Sequence, residues 1–340
     1  MRKEVLVAVA LFAPTLAGCA PQGDGVGSEA TEPAESQTLT VYSGRAESLI
    51  GPLFERFEQA SGIELEVRYA GTAELVATLL EEGEQSPADV FVSQDAAALG
   101  ALSARGRLEP LPEEILAQVR PRHRSPSGDW VGLSGRARSV VYNPELVSVE
   151  ELPRSLVGLT EPRFRGRFGL APANASFQAH MAAYGVVNGL DELESLLAGL
   201  AANDPKRYPK NSAIVEAVIA GEVELGLVNH YYLHRALAER PDAPGRNFFM
   251  PADDGSGFVN LAGAAVLERG PEAFELVEFL LGPEAQSYFR DETFEYPVAL
   301  EVEAGEEAAV ALAGGEVDFA AVSDRLEETL ELIRTTGLLE

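Results

Sequence analysis

Tyr231 and Tyr232 stand side by side in the run Asn229-His230-Tyr231-Tyr232. Adjacent tyrosines closing a strand at a domain edge would present two phenol oxygens to one point. A phenol titrates near about 10, so at neutral pH it gives up its proton only to a strongly polarising cation. Fe(III) is such a cation, whereas Ca(II) and Mg(II) prefer carboxylates, carbonyls and water. Two phenolates leave a trivalent ion one charge short of neutrality. A bound anion would supply the rest, and a helix N-terminus is a natural place to hold it. Pro172-Ala173-Asn174-Ala175-Ser176 leads from a strand into a helix and offers backbone N–H groups, the Ser176 hydroxyl and the Asn174 amide. Adjacency alone is weak support, because aromatic pairs at strand ends most often serve packing.

Elements that could position these residues follow from periodicity. Residues 39–42 and 63–69 and the buried run 88–92 read as strands, each followed by a segment of helical period: 47–60, 73–82 and 96–105. Leu49, Ile50, Leu53, Phe54 and Phe57 make one apolar helix face, and Gly62 ends that helix. In such α/β layers ligands bind beyond the carboxyl ends of the strands, so the loops 43–47 and 93–96 should share a cleft. Strands are expected again at 138–142, 167–170, 224–228 and 258–267. Helices are expected at 177–187, 192–201, 212–220, 271–281, 283–289 and 322–336. The fold class is therefore α/β, with two lobes joined by crossing strands and a cleft between them. The expected division is 38–138 with 256–300 in one lobe and 139–255 with 301–340 in the other.

Length, composition and charge bound the function. The chain has 340 residues, 46% apolar and 24% charged, as in an ordinary globular protein of roughly two domains. Lys plus Arg number 26 against 54 Asp plus Glu, a net charge of −28 that argues against nucleic-acid or anionic-membrane partners and still allows a small cation. Arg2 and Lys3 precede an apolar run ending in Leu16-Ala17-Gly18-Cys19, the layout of an export signal over 1–18. The single cysteine, directly after Leu-Ala-Gly, resembles a bacterial lipobox, which would lipidate Cys19 and hold the protein to a membrane face. Residues 19–37, rich in Gly, Ser, Glu and Pro, read as a flexible tether.

Five segments in order carry a resemblance: Val41-Tyr42-Ser43-Gly44-Arg45, Glu81-Glu82-Gly83 through Ser86-Pro87-Ala88-Asp89-Val90-Phe91, Leu133-Ser134-Gly135-Arg136-Ala137-Arg138, Tyr208-Pro209-Lys210-Asn211-Ser212 and Asn229-His230-Tyr231-Tyr232. Together they resemble the bacterial ferric-iron-binding proteins that feed ABC importers, over about residues 38 to 300. The resemblance implies a type II periplasmic-binding-protein fold. It implies Fe(III) as cargo with a synergistic anion, carbonate or phosphate, and delivery to a permease and its ATPase from the periplasmic or outer face of the cytoplasmic membrane. A monomer is expected. Carried over by position, Tyr231 and Tyr232 match the iron-ligating pair, and Asn211 and Asn229 match polar residues of the pocket. Asn174, Ala175 and Ser176 match the anion-binding helix start, with Arg136 or Arg138 helping to neutralise the anion. Members that add a histidine, a glutamate or a third tyrosine have them where this chain has Ala46, Gln94 and Asn174. Glu47, Asp95 or His230 are the remaining candidates to complete the shell.

Structural readings stand beside these. Gln94 and Asp95 either cap the following helix or line the ligand. Arg45 is a pocket candidate, but it and Glu47 read first as a solvated loop and a helix-start charge. His230 would point away from its tyrosine neighbour along a strand. His123, His180 and His234 read as structural, Trp130 as packing a domain surface, and the acidic stretches 301–307 and 324–331 as solvated faces. Two other functions compete with iron delivery: the same fold holding a phosphonate or other oxyanion, and an exported enzyme. The second has no nucleophile elbow, zinc motif or available cysteine to work with.

Overall fold

A computed structural model describes residues 38–339 apart from 251–252, 269 and 313–316. Cys19 and the expected signal and tether lie outside the described residues. The first elements are β1 (Thr38–Ser43), α1 (Glu47–Ser61), β2 (Glu64–Tyr69), α2 (Thr72–Glu82), β3 (Val90–Ser93), α3 (Ala96–Ser103), the single turn α4 (Glu113–Leu116) and the long strand β4 (Val131–Tyr142). There follow β5 (Phe168–Leu170), α5 (Ala175–Asn188), α6 (Leu190–Ala202), β6 (Lys206–Arg207), α7 (Asn211–Ile219), β7 (Leu225–Asn229), α8 (Tyr231–Glu239) and β8 (Arg246–Phe248). The chain ends with β9 (Val259–Val266), α9 (Pro271–Leu281), α10 (Pro283–Asp291), β10 (Tyr296–Pro297), α11 (Gly305–Ala311) and α12 (Phe319–Thr335).

Local chemistry explains the opening units. Ile50, Leu53, Phe54 and Phe57 form the buried face of α1, which stops at Gly62 in the left-handed region, φ 76°. β1 lies between β2 and β3, parallel to both. The loops after β1 and β3 meet at Thr72, whose hydroxyl donates to the Gly44 carbonyl and accepts from the Gln94 N–H, both at 3.4 Å. A side chain at Gly44 would lie 2.3 Å from that hydroxyl oxygen, so the junction requires glycine.

The strand order is β2-β1-β3-β9-β4-β7-β5-β6. β4 begins at Val131, seven residues before the expected 138, and its two halves have different neighbours. Residues 131–137 pair antiparallel with β9, and 138–142 pair antiparallel with β7 and β8. One apolar cluster gathers on β1, β3, the first half of β4, β9 and α1, α3 and α9. A second gathers on β5, β7, α5 and α6 and includes Ile333 and Leu338 from the end of the chain. α12 touches both regions: Phe319 packs on Trp130, ring centroids 6.1 Å apart, while Ile333 is buried in the second cluster. Trp130 is therefore a buried residue, not a surface one. Among the described residues no helix is long and apolar enough to cross a membrane.

Arg45 also departs from expectation. It is 1% exposed, donates to Glu295 at 3.0 Å and to Ser134 at 3.5 Å, and stands over the Phe289 ring. Arg45 is not solvated because its guanidinium has a buried carboxylate to satisfy it.

Three histidines are held neutral inside. Burial is the main cause at each, reinforced by Arg122 and Arg120 at His123, by Arg138 at His180 and by His234 at His230; the pKa values fall from 6.5 to about 4, 3 and 3. Below pH 6.5 the unfolded chain binds protons that the folded chain refuses, so stability falls as pH falls, until the folded values are reached. Each histidine contributes a slope of up to about 1.4 kcal/mol per pH unit. The urea midpoint should therefore drop steadily from pH 6.5 to about 5.5, above the range where most surface carboxylates titrate. A midpoint flat over that interval would contradict the assignment.

Candidate functional site

β7 ends at Asn229, and the chain turns at once into α8 through His230. Tyr231 and Tyr232 thus open a helix and do not close a strand, which corrects the sequence expectation. The helix was legible in the period of Tyr232, Leu233, Ala236 and Leu237, all in one apolar cluster. The two phenol rings stack with centroids 4.4 Å apart and an interplanar angle of 30°. Burial first, then Tyr231 through charge and a hydrogen bond, pushes the Tyr232 pKa above its ordinary 10, while Arg235 and Arg136 oppose the rise. Tyr232 therefore keeps its proton until a cation replaces it.

Beside the tyrosines lies a buried polar cluster centred on Arg138, which is 3% exposed. Its Nη1 donates to Ser176 Oγ, Asn211 Oδ1 and Asn229 Oδ1, each at 3.1 Å, and its Nη2 donates to the Leu227 carbonyl at 3.1 Å. Burial lowers its pKa to about 9, against the raising effect of Tyr231 and Tyr232, and the group stays charged at neutral pH. Asn211 Oδ1 also accepts from the Asn229 backbone N–H at 3.0 Å. Asn174 caps α5: its Oδ1 accepts from Ser176 N at 3.1 Å, Ser176 Oγ at 2.6 Å and Asn211 Nδ2 at 3.0 Å. Arg138, Asn174, Ser176, Asn211 and Asn229 are thus brought together, with Ala175 as the first residue of the α5 helix.

Arg136, two residues earlier on β4, faces a cavity of about 380 Å³ with Gln94, Ser176 and Asn260 as polar lining and Ala98, Phe258 and Leu326 among the apolar lining. Arg136 donates to the Gln94 backbone carbonyl. Arg136 Nε and Gln94 Oε1 are buried without a hydrogen-bond partner among the described residues, a donor and an acceptor left for a ligand. Asp95 has a structural task, accepting from Ala98 N at 3.0 Å as the cap of α3. Thr72 and Asn260 also line the cavity and escaped sequence reasoning; only their places at the start of α2 and of β9 would have flagged them.

His230 is no free ligand. It is fully buried, Nδ1 accepts from the Ala137 N–H at 3.2 Å, Nε2 meets the Phe294 carbonyl at 2.9 Å, and the ring stacks on Tyr296 at 3.9 Å. Phe294 adopts φ 59°, a left-handed conformation that bulky residues rarely take. Glu47 is exposed at the head of α1. Glu307 departs from the expected solvated face: its Oε1 accepts from Tyr296 OH at 2.7 Å and meets His234 Nε2 at 2.9 Å. Burial raises its pKa, but the bonds from His234 and Tyr296 outweigh that and hold it at about 2. α8 is thereby clamped one turn beyond the tyrosines, and Arg235 stands over the Tyr231 ring at 4.8 Å. Among the described residues no group of three or more His, Cys, Asp and Glu could hold a metal ion.

Arg138→Met would strip the Asn229 amide oxygen and the Leu227 carbonyl of this donor inside the protein. A loss of about 3 kcal/mol is expected in urea denaturation. A variant as stable as the parent would show that the cluster is solvated.

Comparison with known proteins places this geometry in context. The profile of bacterial extracellular solute-binding proteins matches residues 85–313. The chain is 34% identical over 267 residues to the major ferric iron-binding protein of Neisseria meningitidis serogroup B, covering 76% of this chain and 80% of that one. It is 32% identical over 281 residues to iron uptake protein A1 of Synechocystis, covering 79% and 78%. Iron-bound HitA from Pseudomonas aeruginosa superposes with TM-score 0.77 at 32% identity, covering 88% of this chain and 99% of that one.

Proposed function

The chain belongs to the bacterial extracellular solute-binding proteins, and from that premise we propose that it binds Fe(III) together with a synergistic anion and delivers it to an ABC importer. Its fold is that of the type II periplasmic binding proteins. The reading rests on one observation above others: two stacked phenols beside buried guanidiniums, at a site with no carboxylate or imidazole cluster among the described residues. Tyr231 and Tyr232 supply two anionic oxygens to the iron. Arg136, Ser176 and the start of α5 supply donors to the anion, carbonate or phosphate, which completes the charge and the coordination shell. Gln94 contributes a neutral acceptor where an anionic ligand would add charge.

The lobes in this reading are 38–138 with 256–300 and 139–255 with 301–340, α12 lying across both, and they close on the cargo by hinge motion. Export is supported by the family. Attachment through a lipidated Cys19, a monomeric state and the absence of catalysis complete the proposal: a carrier binds and releases its cargo unchanged, and it carries the membrane address that its permease and ATPase partners require.

A tyrosinate–iron complex absorbs visible light. Addition of Fe(III) with carbonate or phosphate should colour the parent protein, and Tyr231→Phe or Tyr232→Phe should weaken iron binding by more than about 100-fold, beyond the effect typical of outer-shell losses. Colourless parent protein, or phenylalanine variants that bind iron like the parent, would refute the assignment. The oxyanion reading keeps one specific support, that the cavity beside Arg136 and Ser176 is not itself lined by the tyrosines. Calorimetry of metal-free protein with a phosphonate separates the two, because only the oxyanion reading expects tight binding without iron.

A further inference from the structure

Arg120, Arg122, His123 and Arg124 fall within five residues of a chain whose net charge is −28. The segment is firmly held. Pro121–His123 forms a single 3-10 turn, Val119 bridges Ala299, and Arg124 bridges Val131. β4 approaches so closely that a Cβ at Gly132 would sit 2.8 Å from the His123 carbonyl oxygen. The turn forms one wall of a recess of about 440 Å³, with Arg120, Arg122 and His123 on it and Val298, Leu300 and Leu312 among the apolar residues facing them.

The polar atoms of this wall are incompletely satisfied. His123 is 5% exposed, and its Nδ1 has no hydrogen-bond partner among the described residues; Arg122 Nε is likewise buried and unpartnered. Arg124 is engaged elsewhere, with Glu113 at 3.7 Å. Glu303, exposed, is the one acid among the lining residues, and its backbone carbonyl accepts from Arg290 at 3.4 Å. Burial first, then the charges of Arg122 and Arg120, keep the His123 ring neutral, and it hydrogen-bonds to the Val298 backbone. A neutral imidazole that donates through one nitrogen leaves the other as a lone pair in need of a donor.

We propose that this recess is a second ligand site, distinct from the tyrosine cleft, for a small hydroxycarboxylate. Its carboxylate lies on the Arg120 and Arg122 guanidiniums, its hydroxyl donates to His123 Nδ1, and its carbon chain covers Val298, Leu300 and Leu312. The two guanidiniums disfavour a cation. An inorganic anion would satisfy them but leave the apolar wall bare and most of the recess unfilled.

The test is calorimetry of the full-length, iron-free protein with malate and, separately, with inorganic phosphate. Saturable malate binding is expected, weakened about ten-fold or more by Arg122→Gln and by a smaller factor by Arg120→Gln at its exposed position, since a charge-assisted hydrogen bond is worth about that much. The Fe(III)-dependent colour should be unchanged in both variants. Because Arg120 is exposed, Arg120→Gln stays informative even if Arg122→Gln fails to fold. A second readout is the His123 ring nitrogen resonance, which should move on malate addition. Absence of malate binding, malate heats unchanged in both variants, a His123 signal that does not move, or phosphate binding as tightly as malate and weakened equally by Arg122→Gln would each overturn the proposal.

Discussion

The buried guanidinium of Arg138 is the constraint on which the site's geometry depends. A charge so deep is tolerable only when acceptors meet it, and the four it finds come from three different elements: Ser176 on α5, Asn211 on α7, and Leu227 and Asn229 on β7, all met from β4. Moving any one of these elements would strand a donor or an acceptor in a medium where that is expensive. The cluster therefore fixes β7 against α5, and since α8 follows β7 after a single residue, it also fixes the point from which the tyrosines project. The clamp through His230, His234, Tyr296 and Glu307 holds the far side of the same helix turn.

β4 links this cluster to the cavity. Residues two apart on a strand share a face, so Arg136 and Arg138 are offered to the same side, yet they serve different neighbours because the strand passes from β9 to β7 between them. Arg136 looks into the open cavity with an unpartnered Nε, while the Nη atoms of Arg138 reach four protein acceptors and its own Nε is buried without a partner among the described residues. The positional resemblance left open which arginine serves an anion; of the two, Arg136 is the one that lines the cavity, and Arg138 is the one whose Nη atoms tie the surrounding elements together.

Most of the architecture was readable in the chain because its signals are local. The apolar spacing of α1, the terminating Gly62 and the buried run of β3 leave few alternatives. Most of the failures are non-local. Arg45 reads as a loop charge until Glu295, 250 residues away, is brought beside it. Glu307 sits in an acidic stretch that nothing local distinguishes from a solvated face, and only the folded chain sets it against His234 and Tyr296. Tyr231 and Tyr232 were identified as a pair from their types, but the assumption that a strand ran through them hid the helix whose first turn stacks them.

The positions where relatives of this type add further ligands acquire a physical reading. Asn174 is already saturated, its carbonyl oxygen accepting three hydrogen bonds as the cap of α5, and it could not donate to a metal without uncapping the helix. Ala46 is the residue before α1 and carries no polar side chain. Gln94 alone retains an unengaged oxygen, and that oxygen is neutral. The protein side of the pocket therefore offers two ionisable phenols against two fixed guanidinium charges, Arg136 and Arg138, with Glu295 already spent on Arg45. Such a pocket is deficient in negative charge even before a trivalent ion arrives. In the proposed reading an exogenous anion is therefore part of the charge balance of metal binding and not an accessory to it, and the unpartnered Nε of Arg136 offers it a donor.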